Sequence, residues 1–390
     1  MSEAVIVDAF RTARGKKKNG AFTDTHPMDL AAFALKSTVE KLGLEPAVVD
    51  DVILGCVTQV GEQSWNIARG SALAAGFPIE VPGVTINRFC GSGQQAVHFA
   101  AQAVLSGAMD VVLAGGVESM SRVEMGSDSV GPTARNTQGP YSAQLTERFP
   151  GLVPQGISAE MVAERYGITR EECDRFALES QRRAAVAIEE GRFLREILPM
   201  KVTREGADVV ADRDEHARPS TTYETLAGLP AVFKEGGVVT AGNASGIVDG
   251  ASCVAVTTAD KAKALGLTPR ARIRSMVAVG SEPEIMLLGP IPSTRKALDK
   301  AGLEVSDIDL FEVNEAFASV PLAFMKDLGV PHEKVNVNGG AIALGHPLGA
   351  TGGILFATLL NELERQDKRL GVVTMCIGYG MGTATVIERL

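Results

Sequence analysis

The apolar residues of this chain fall into two kinds of run. VVLAG (111–115) and GVVTM (371–375) are continuous and Val-rich, without alternation. That pattern suits strands covered by helices on both faces. A helical period is clearest in TREECDRFALESQRRAAVAIEEGRF (169–193), where Thr169 with Glu172 three residues on predicts a capping box and Gly191 a stop.

The same sequence of elements occurs twice. EKLGLEPAVVDDVILGCV (40–57) parallels DKAGLEVSDIDLFEVNEA (299–316): an amphipathic helix end, a Gly turn, an acidic spacer and a buried strand. VTINRFCGSGQQAVHFAAQAVLSGAMDVVLAGGVESM (84–120) parallels residues 335–382. Each of these predicts a short strand ending at Asn, a Gly-rich turn, a helix, a Val-rich strand and a Gly-rich exit. Two pairs in the same order indicate two copies of one α/β unit. Residues 121–245 differ in texture, being richer in charge, Pro and Gly. The chain therefore divides into a first half at 1–120 with a returning segment at 246–268, an inserted region at 121–245, and a second half at 269–390. Because the insertion leaves the first half at the strand end Gly115-Gly116, it should lie over the site side of the sheet. Lys16-Lys17-Lys18 reads as a solvated loop.

Composition narrows the class. The 390 residues are 45% hydrophobic and 22% charged, which fits a globular chain and excludes disorder. A formal charge of −9 argues against a nucleic-acid footprint, which needs a basic face. No apolar run reaches the roughly 18 residues a membrane span requires. The N-terminal MSEAVIVDAF lacks a basic, cleavable leader, and the C-terminal ATVIERL carries no retention, peroxisomal or prenylation signal. Five cysteines, an odd number without metal-like spacing, fit free thiols in a reducing cytoplasm. Glycine, at 42 residues, exceeds the average of roughly 7%, so some backbone must approach closely.

Four residues carry candidate chemistry. Cys90 in NRFCGSGQQA lies between a strand and a helix, where the helix N-terminus favours a thiolate. His346 in GGAIALGHPLGATG occupies the matching Gly-rich strand-to-helix turn of the second half, placed to accept the thiol proton. Cys376 opens CIGYGMG after a buried strand, and Asn314 in EVNEAF ends a strand before a helix. Singly, each has a plain reading as a core thiol, a structural histidine or an N-cap. A Cys–His pair alone does not separate a transferase from a hydrolase.

Taken together, the stretches NRFCGSG, GGVESMS, DEHARP, AGNASGIVDGA, GPIPSTRKAL, VNEAFA, NVNGGAIALGHPLGATG and CIGYGMG closely resemble the thiolase family, over essentially the whole chain. The resemblance implies an α/β thiolase-like fold: a duplicated unit with central sheets covered by helices, plus an inserted loop domain that binds CoA. It implies an acyltransferase that cleaves 3-ketoacyl-CoA with CoA, reversibly, through an acyl-cysteine. Cys90 matches the acylated cysteine, His346 the base that deprotonates it and Cys376 the thiol that exchanges the α-carbon proton. Asn314 matches the asparagine whose water forms one oxyanion hole with His346, and the N–H groups of Cys90 and Gly378 match the second hole. Arg218, Ala241 and Ser245 match CoA contacts. CoA is then a substrate, with no permanently bound cofactor and no metal. The resemblance also implies a cytoplasmic homo-oligomer, a dimer or homotetramer, that could join a β-oxidation multienzyme.

The chain departs from the family in places. CIGYGMG has Tyr379 and Met381 where Gly and Gln are usual, and Gln94 stands where Leu or Met is commoner. With GEQ at 61–63, this resembles relatives acting on bulky, steroid-derived acyl groups. Pro154-Gln155 replaces the His-Met pair of the acetoacetyl-specific branch, favouring a broader 3-ketoacyl range. The alternatives are a biosynthetic acetoacetyl-CoA thiolase and a non-catalytic acyl-CoA or sterol-binding relative. A decarboxylating ketoacyl synthase has no use for Cys376, and no G-x-G-x-x-G turn supports a dinucleotide-binding dehydrogenase.

Overall fold

The computed structural model describes residues 3–129 and 140–390, so the first two residues and part of the insertion lie outside it. Nine strands form one mixed sheet: β1 (Ala4–Arg11), β2 (Asp51–Gly55), β3 (Gly83–Ile86), β4 (Val111–Ser119), β5 (Val248–Thr258), β6 (Ala271–Gly280), β7 (Leu310–Val313), β8 (Leu370–Ile377) and β9 (Met381–Arg389). Their order is β3-β2-β4-β5-β1-β6-β9-β8-β7, and a two-residue strand, Gly15–Lys16, pairs with β5 at the side. Apart from β3, which has no counterpart strand in the second half, the order is symmetric about the centre. β2 lies parallel to both β3 and β4, as β7 does to β8, and the remaining neighbours within each half run antiparallel. The halves meet where β1 and β6 exchange only two residue pairs, Val5 with Arg272 and Ile6 with Ala271.

Six helices matter most for the site: α1 (Pro27–Leu42), α2 (Ser92–Ser106), α3 (Gln155–Tyr166), α4 (Arg170–Glu189), α5 (Pro290–Ala301) and α6 (Leu348–Arg365). Alternate strand residues face opposite layers. Val112 and Ala114 of β4, with Val373 and Met375 of β8, face a central layer made by Ala96, Val97 and Ala100 of α2 and Leu355, Phe356 and Leu359 of α6. Val111 and Leu113 pack outward with Leu30 and Leu35 of α1, while Val372 and Val386 pack outward with Ile291 and Leu298 of α5. Helix, sheet, helix pair, sheet and helix thus alternate, which accounts for the unbroken apolar runs.

The two central helices touch backbone to backbone at their first turns. A Cβ on Gly352 of α6 would stand 1.9 Å from the Gln94 nitrogen of α2, and one on Gly93 would stand 2.6 Å from the Gly349 oxygen. A Cβ on Gly116 of β4 would likewise meet the Gly349 oxygen at 1.9 Å. No larger residue fits this crossing, so the loops entering α2 and α6 are held side by side.

The insertion is tied down by buried charge. Arg11, fully buried on β1, donates from Nε to Glu196 Oε1 at 2.6 Å and from its two terminal nitrogens to Asp214 at 2.7 and 3.0 Å. Both acids belong to the insertion, and Asp214 begins the DEHARP stretch. The expected capping box closes α4: Glu172 N donates to Thr169 Oγ1 at 3.2 Å and Thr169 N to Glu172 Oε2 at 2.7 Å.

Some local expectations need correction. The strand expected to end at Asn338 is reduced to a single bridge between Phe311 and Val335. Asn336, at φ 48°, turns the chain, and its side chain takes over the strand's pairing, accepting from Val313 N and donating to Val313 O, both at 2.8 Å. The loop before His346 follows a helical turn, Ala341–Leu344, rather than a strand, because Gly345 at φ 94° reverses the chain there. β4 does not stop at Gly115-Gly116 but pairs with β5 out to Ser119.

Gly352→Ala separates two effects. Helix propensity favours Ala by about 1 kcal/mol, whereas overpacking costs about 1–3 kcal/mol. The expected outcome is a lowered melting temperature; a raised one would contradict the crossing.

Candidate active site

Cys90 sits on a loop closed by its own polar groups. Ser92 Oγ donates to Phe89 O at 2.7 Å and accepts from Arg88 N at 2.8 Å, while Asn87 Oδ1 accepts from Phe89 N at 2.8 Å. Phe89 adopts φ 46°, a left-handed conformation uncommon for an aromatic residue, and such strain clusters at functional sites. The thiol is buried among Val57, Met120 and Leu348. Burial pushes its pKa up to about 11, opposed by the Gln155 side chain and its own backbone N–H, with nearby Glu118 adding to the rise. The thiolate stabilisation expected from the helix start is outweighed by desolvation, so the resting group is a thiol.

His346 lies between Gly345 and α6 and is buried. Thr351 Oγ1 donates to Pro347 O at 2.8 Å, leaving that oxygen to accept from His346 Nδ1–H at 2.6 Å. On the other side Asn314 Nδ2 lies 3.2 Å from His346 Nε2, where an amide can only donate. Both contacts select one tautomer, with the proton on Nδ1 and a lone pair on Nε2. Burial first, then the charge of Arg14, lowers the imidazole pKa to about 3. His346 is therefore a neutral group ready to accept a proton.

Asn314 follows β7 directly and is not an N-cap, since the next helix, Ser319–Leu328, is capped at Ala318. Its Oδ1 is buried with no protein partner among the described residues. Glu315 beside it accepts from Ser180 Oγ, Asn336 Nδ2 and Ile342 N at 2.7, 2.8 and 3.1 Å, knotting α4 to the Asn314 and His346 loops.

Cys376 is inside β8 rather than after it, fully buried against Ala316, Ala318 and Ile342. Burial and then the proximity of Cys90 push its pKa above the range of Cys90. The two thiols are thus electrostatically coupled, and a charge on one opposes a charge on the other. Gly378 lies just past β8, and a Cβ there would stand 3.5 Å from Gln155 Nε2 and 3.6 Å from the Phe89 ring. Cys90, Asn314, His346, Cys376 and Gly378 thus come from loops and strand ends of both halves around one buried place.

The three residues matched to CoA contacts line up differently. Ser245 joins the site backbone, its N–H donating to Ala316 O at 3.0 Å, and next to it Gly246 O accepts from His346 N at 2.9 Å. Ala241 and Arg218 are exposed, Arg218 held by its backbone N–H to Gln181 Oε1 at 2.8 Å.

Sequence reasoning missed three supports. Thr351 fixes the histidine tautomer. Gln155 brings its Nε2 to the corner formed by Gly378 and Phe89. Glu118, within the quoted GGVESMS stretch, accepts from Val57 N, Thr58 N, Gln63 Nε2 and Gly349 N at 2.9–3.1 Å, joining the first half to the α6 terminus. Only Gln155 had a signal, as a departure from a family pattern. Among the described residues no cluster of His, Cys, Asp and Glu suits a metal ion, and no helix is long and apolar enough to cross a membrane.

Residues 4–260 match the thiolase N-terminal domain and residues 267–389 the thiolase C-terminal domain. A 3-ketoacyl-CoA thiolase of Aeromonas hydrophila is 48% identical over 396 aligned residues, covering 100% of both chains. A steroid 3-ketoacyl-CoA thiolase of Mycobacterium tuberculosis is also 48% identical, covering 100% of this chain and 95% of its own. The crystal structure of the Bacillus anthracis acetyl-CoA acetyltransferase superposes with a TM-score of 0.91 at 41% identity, covering 100% of this chain and 99% of that one.

The tautomer assignment is open to NMR of histidine-labelled protein. His346 should keep the neutral Nδ1–H form well below its ordinary pKa of 6.5, and Thr351→Val should weaken that preference. A wild-type titration near 6.5 would contradict the buried, neutral base. By linkage the depressed pKa contributes stability that is present above 6.5 and is lost as pH falls toward 3.

Proposed function

This chain belongs to the thiolase family, and from that premise we propose that it is a 3-ketoacyl-CoA thiolase, cleaving 3-ketoacyl-CoA with CoA to acetyl-CoA and a shortened acyl-CoA. The observation that carries the reading is the unequal pair of thiols beside a neutral histidine. In this scheme the Asn314 N–H leaves the His346 Nε2 lone pair, and Cys90 gives its proton to that lone pair as its sulfur bonds to the 3-keto carbon. The bond between carbons 2 and 3 then breaks, its electron pair passing to the acetyl-CoA enolate. Cys376, whose pKa is the higher, holds its proton until this point and delivers it to carbon 2. The CoA thiol next gives its proton to the Cys376 thiolate and attacks acyl-Cys90, releasing the shortened acyl-CoA, and His346 returns its proton to the Cys90 sulfur, restoring both thiols in a ping-pong cycle. The reverse sequence is a Claisen condensation.

Charge on oxygen must be met twice. His346, once protonated, and a water held by Asn314 serve one oxyanion, and the backbone N–H groups of Cys90 and Gly378 serve the other. Each such donor is worth ~3 kcal/mol in a transition state. The unpartnered Asn314 Oδ1 and the place of Gly378 beside the Phe89-Cys90 loop support these assignments. CoA enters as a substrate past Arg218, Ala241 and Ser245, and no resident cofactor takes part.

A broad acyl range is supported by the names of the 48%-identical relatives and by the aromatic group over the thiol loop. Tyr379, at φ 63°, packs against Phe89 with ring centres 5.4 Å apart and against Tyr141 at 5.7 Å. The Bacillus anthracis likeness favours the second reading, an acetyl-CoA acetyltransferase acting on acetoacetyl-CoA. A homo-oligomer, dimer or tetramer, is supported by the free edge of β3 and by exposed Trp65, Ile79, Val84 and Phe99. The five unpaired cysteines support a cytoplasmic setting, where a β-oxidation multienzyme is a fitting partner.

Steady-state assays with acetoacetyl, medium-chain, long-chain and steroid-side-chain 3-ketoacyl-CoA test the reading. Cleavage should extend beyond acetoacetyl-CoA, and confinement to that substrate would favour the second reading. Cys90→Ser should lose about a thousandfold or more in rate. Cys376→Ser should still take an acyl group from acyl-CoA yet fail to form or break the carbon–carbon bond.

A further inference from the structure

We propose that Gln155 is a catalytic residue: its carboxamide N–H donates to the Cys90 sulfur, and then to the oxyanion that develops beside Gly378. The inference rests on the thiolase reading for its second half only. Two separate observations bring the side chain there. The Nε2 atom lies 3.5 Å from where a Gly378 Cβ would stand, so the amide stands beside the residue whose N–H is assigned to the oxyanion hole. The same side chain interacts with the Cys90 thiol in the direction that favours its ionised form. Phe89, 3.6 Å from the same Gly378 position, closes the neighbouring side of this corner.

The local fold explains why the amide is held there. Gln155 is the first residue of α3, set by extended Pro154. The helix behind it is anchored by Ala159 and Val162 in the apolar cluster that also contains Cys376, and by Ser158 Oγ donating to Ile285 O at 2.5 Å. A half-buried amide on a rigid helix end can donate without the reorganisation a mobile side chain would need. An amide also carries no charge, so it can favour a thiolate and later an oxyanion without binding either permanently. The position is one where this chain departs from the His-Met pattern of the acetoacetyl-specific branch. A methionine there would have no N–H to offer.

Alkylation of Cys90 by iodoacetamide in the full-length enzyme, followed by peptide mass mapping, reads the sulfur directly and needs no CoA substrate. Gln155→Met keeps length and flexibility but removes the donor. It should slow alkylation about tenfold at a fixed pH, which displaces the plot of rate against pH by about one unit. Gln155→Glu should slow it further by placing a negative charge beside the thiolate. In thiolysis Gln155→Met should lower kcat about tenfold with little change in KM. Equal alkylation rates in wild type and Gln155→Met, at equal melting temperatures, would overturn the proposal. If Gln155→Met fails to fold, Gln155→Glu decides the matter: alkylation at or above the wild-type rate overturns it. Slowed alkylation in an enzyme without thiolytic activity would keep the sulfur contact and remove the proposed reaction instead.

Discussion

The backbone contact between the first turns of α2 and α6 is the constraint on which the remaining structure depends. Helices that meet through side chains keep their axes roughly 8–10 Å apart. Here Gly93, Gly349 and Gly352 remove the side chains, and the peptide groups themselves touch. Because Cys90 precedes one helix and His346 the other, closing the helices also closes the reactive loops. Glu118 reinforces the same junction by accepting from Gly349 N and from the Val57-Thr58 loop. The symmetric sheet supplies the rest of the geometry, since equivalent strands in the two halves end on the same side.

Burial then does the chemical sorting. Desolvation raises both thiols and lowers the imidazole, so the resting site carries no charge on any of the three. A neutral site costs less to bury than a thiolate–imidazolium pair, and its protons sit where a two-step reaction requires them. The coupling between Cys90 and Cys376 means that one thiol keeps its proton while the other is ionised. In the proposed reaction two cysteines of one chemical type take opposite roles because their surroundings differ.

Much of this was legible in the sequence. The repeated order of helix end, Gly turn and Val-rich strand implied two like halves, and alternation-free strands implied layers on both faces. The excess of glycine implied close approach without saying where. What the sequence could not carry were contacts between distant positions and balances between opposing effects. Thr351 as the partner of His346 depends on one helical turn after Pro347. The helix dipole at Cys90 was visible in the motif, whereas the depth of burial that outweighs it was not. Asn336 replacing a strand with its side chain shows the same limit: the apolar pattern suggested β-structure, and a single polar group satisfied the neighbouring strand instead.

If the two halves converge to make Cys90, among five buried cysteines, the group that carries the acyl chain, acetyl-CoA should mark that residue alone. Incubation with acetyl-CoA, rapid acid quench and peptide mapping by mass spectrometry tests it most directly. One acetyl group is expected on the peptide containing Cys90 and none on those containing Cys56, Cys173, Cys253 or Cys376. Acetylation centred on Cys376, or none on Cys90 while the enzyme turns over, would contradict it.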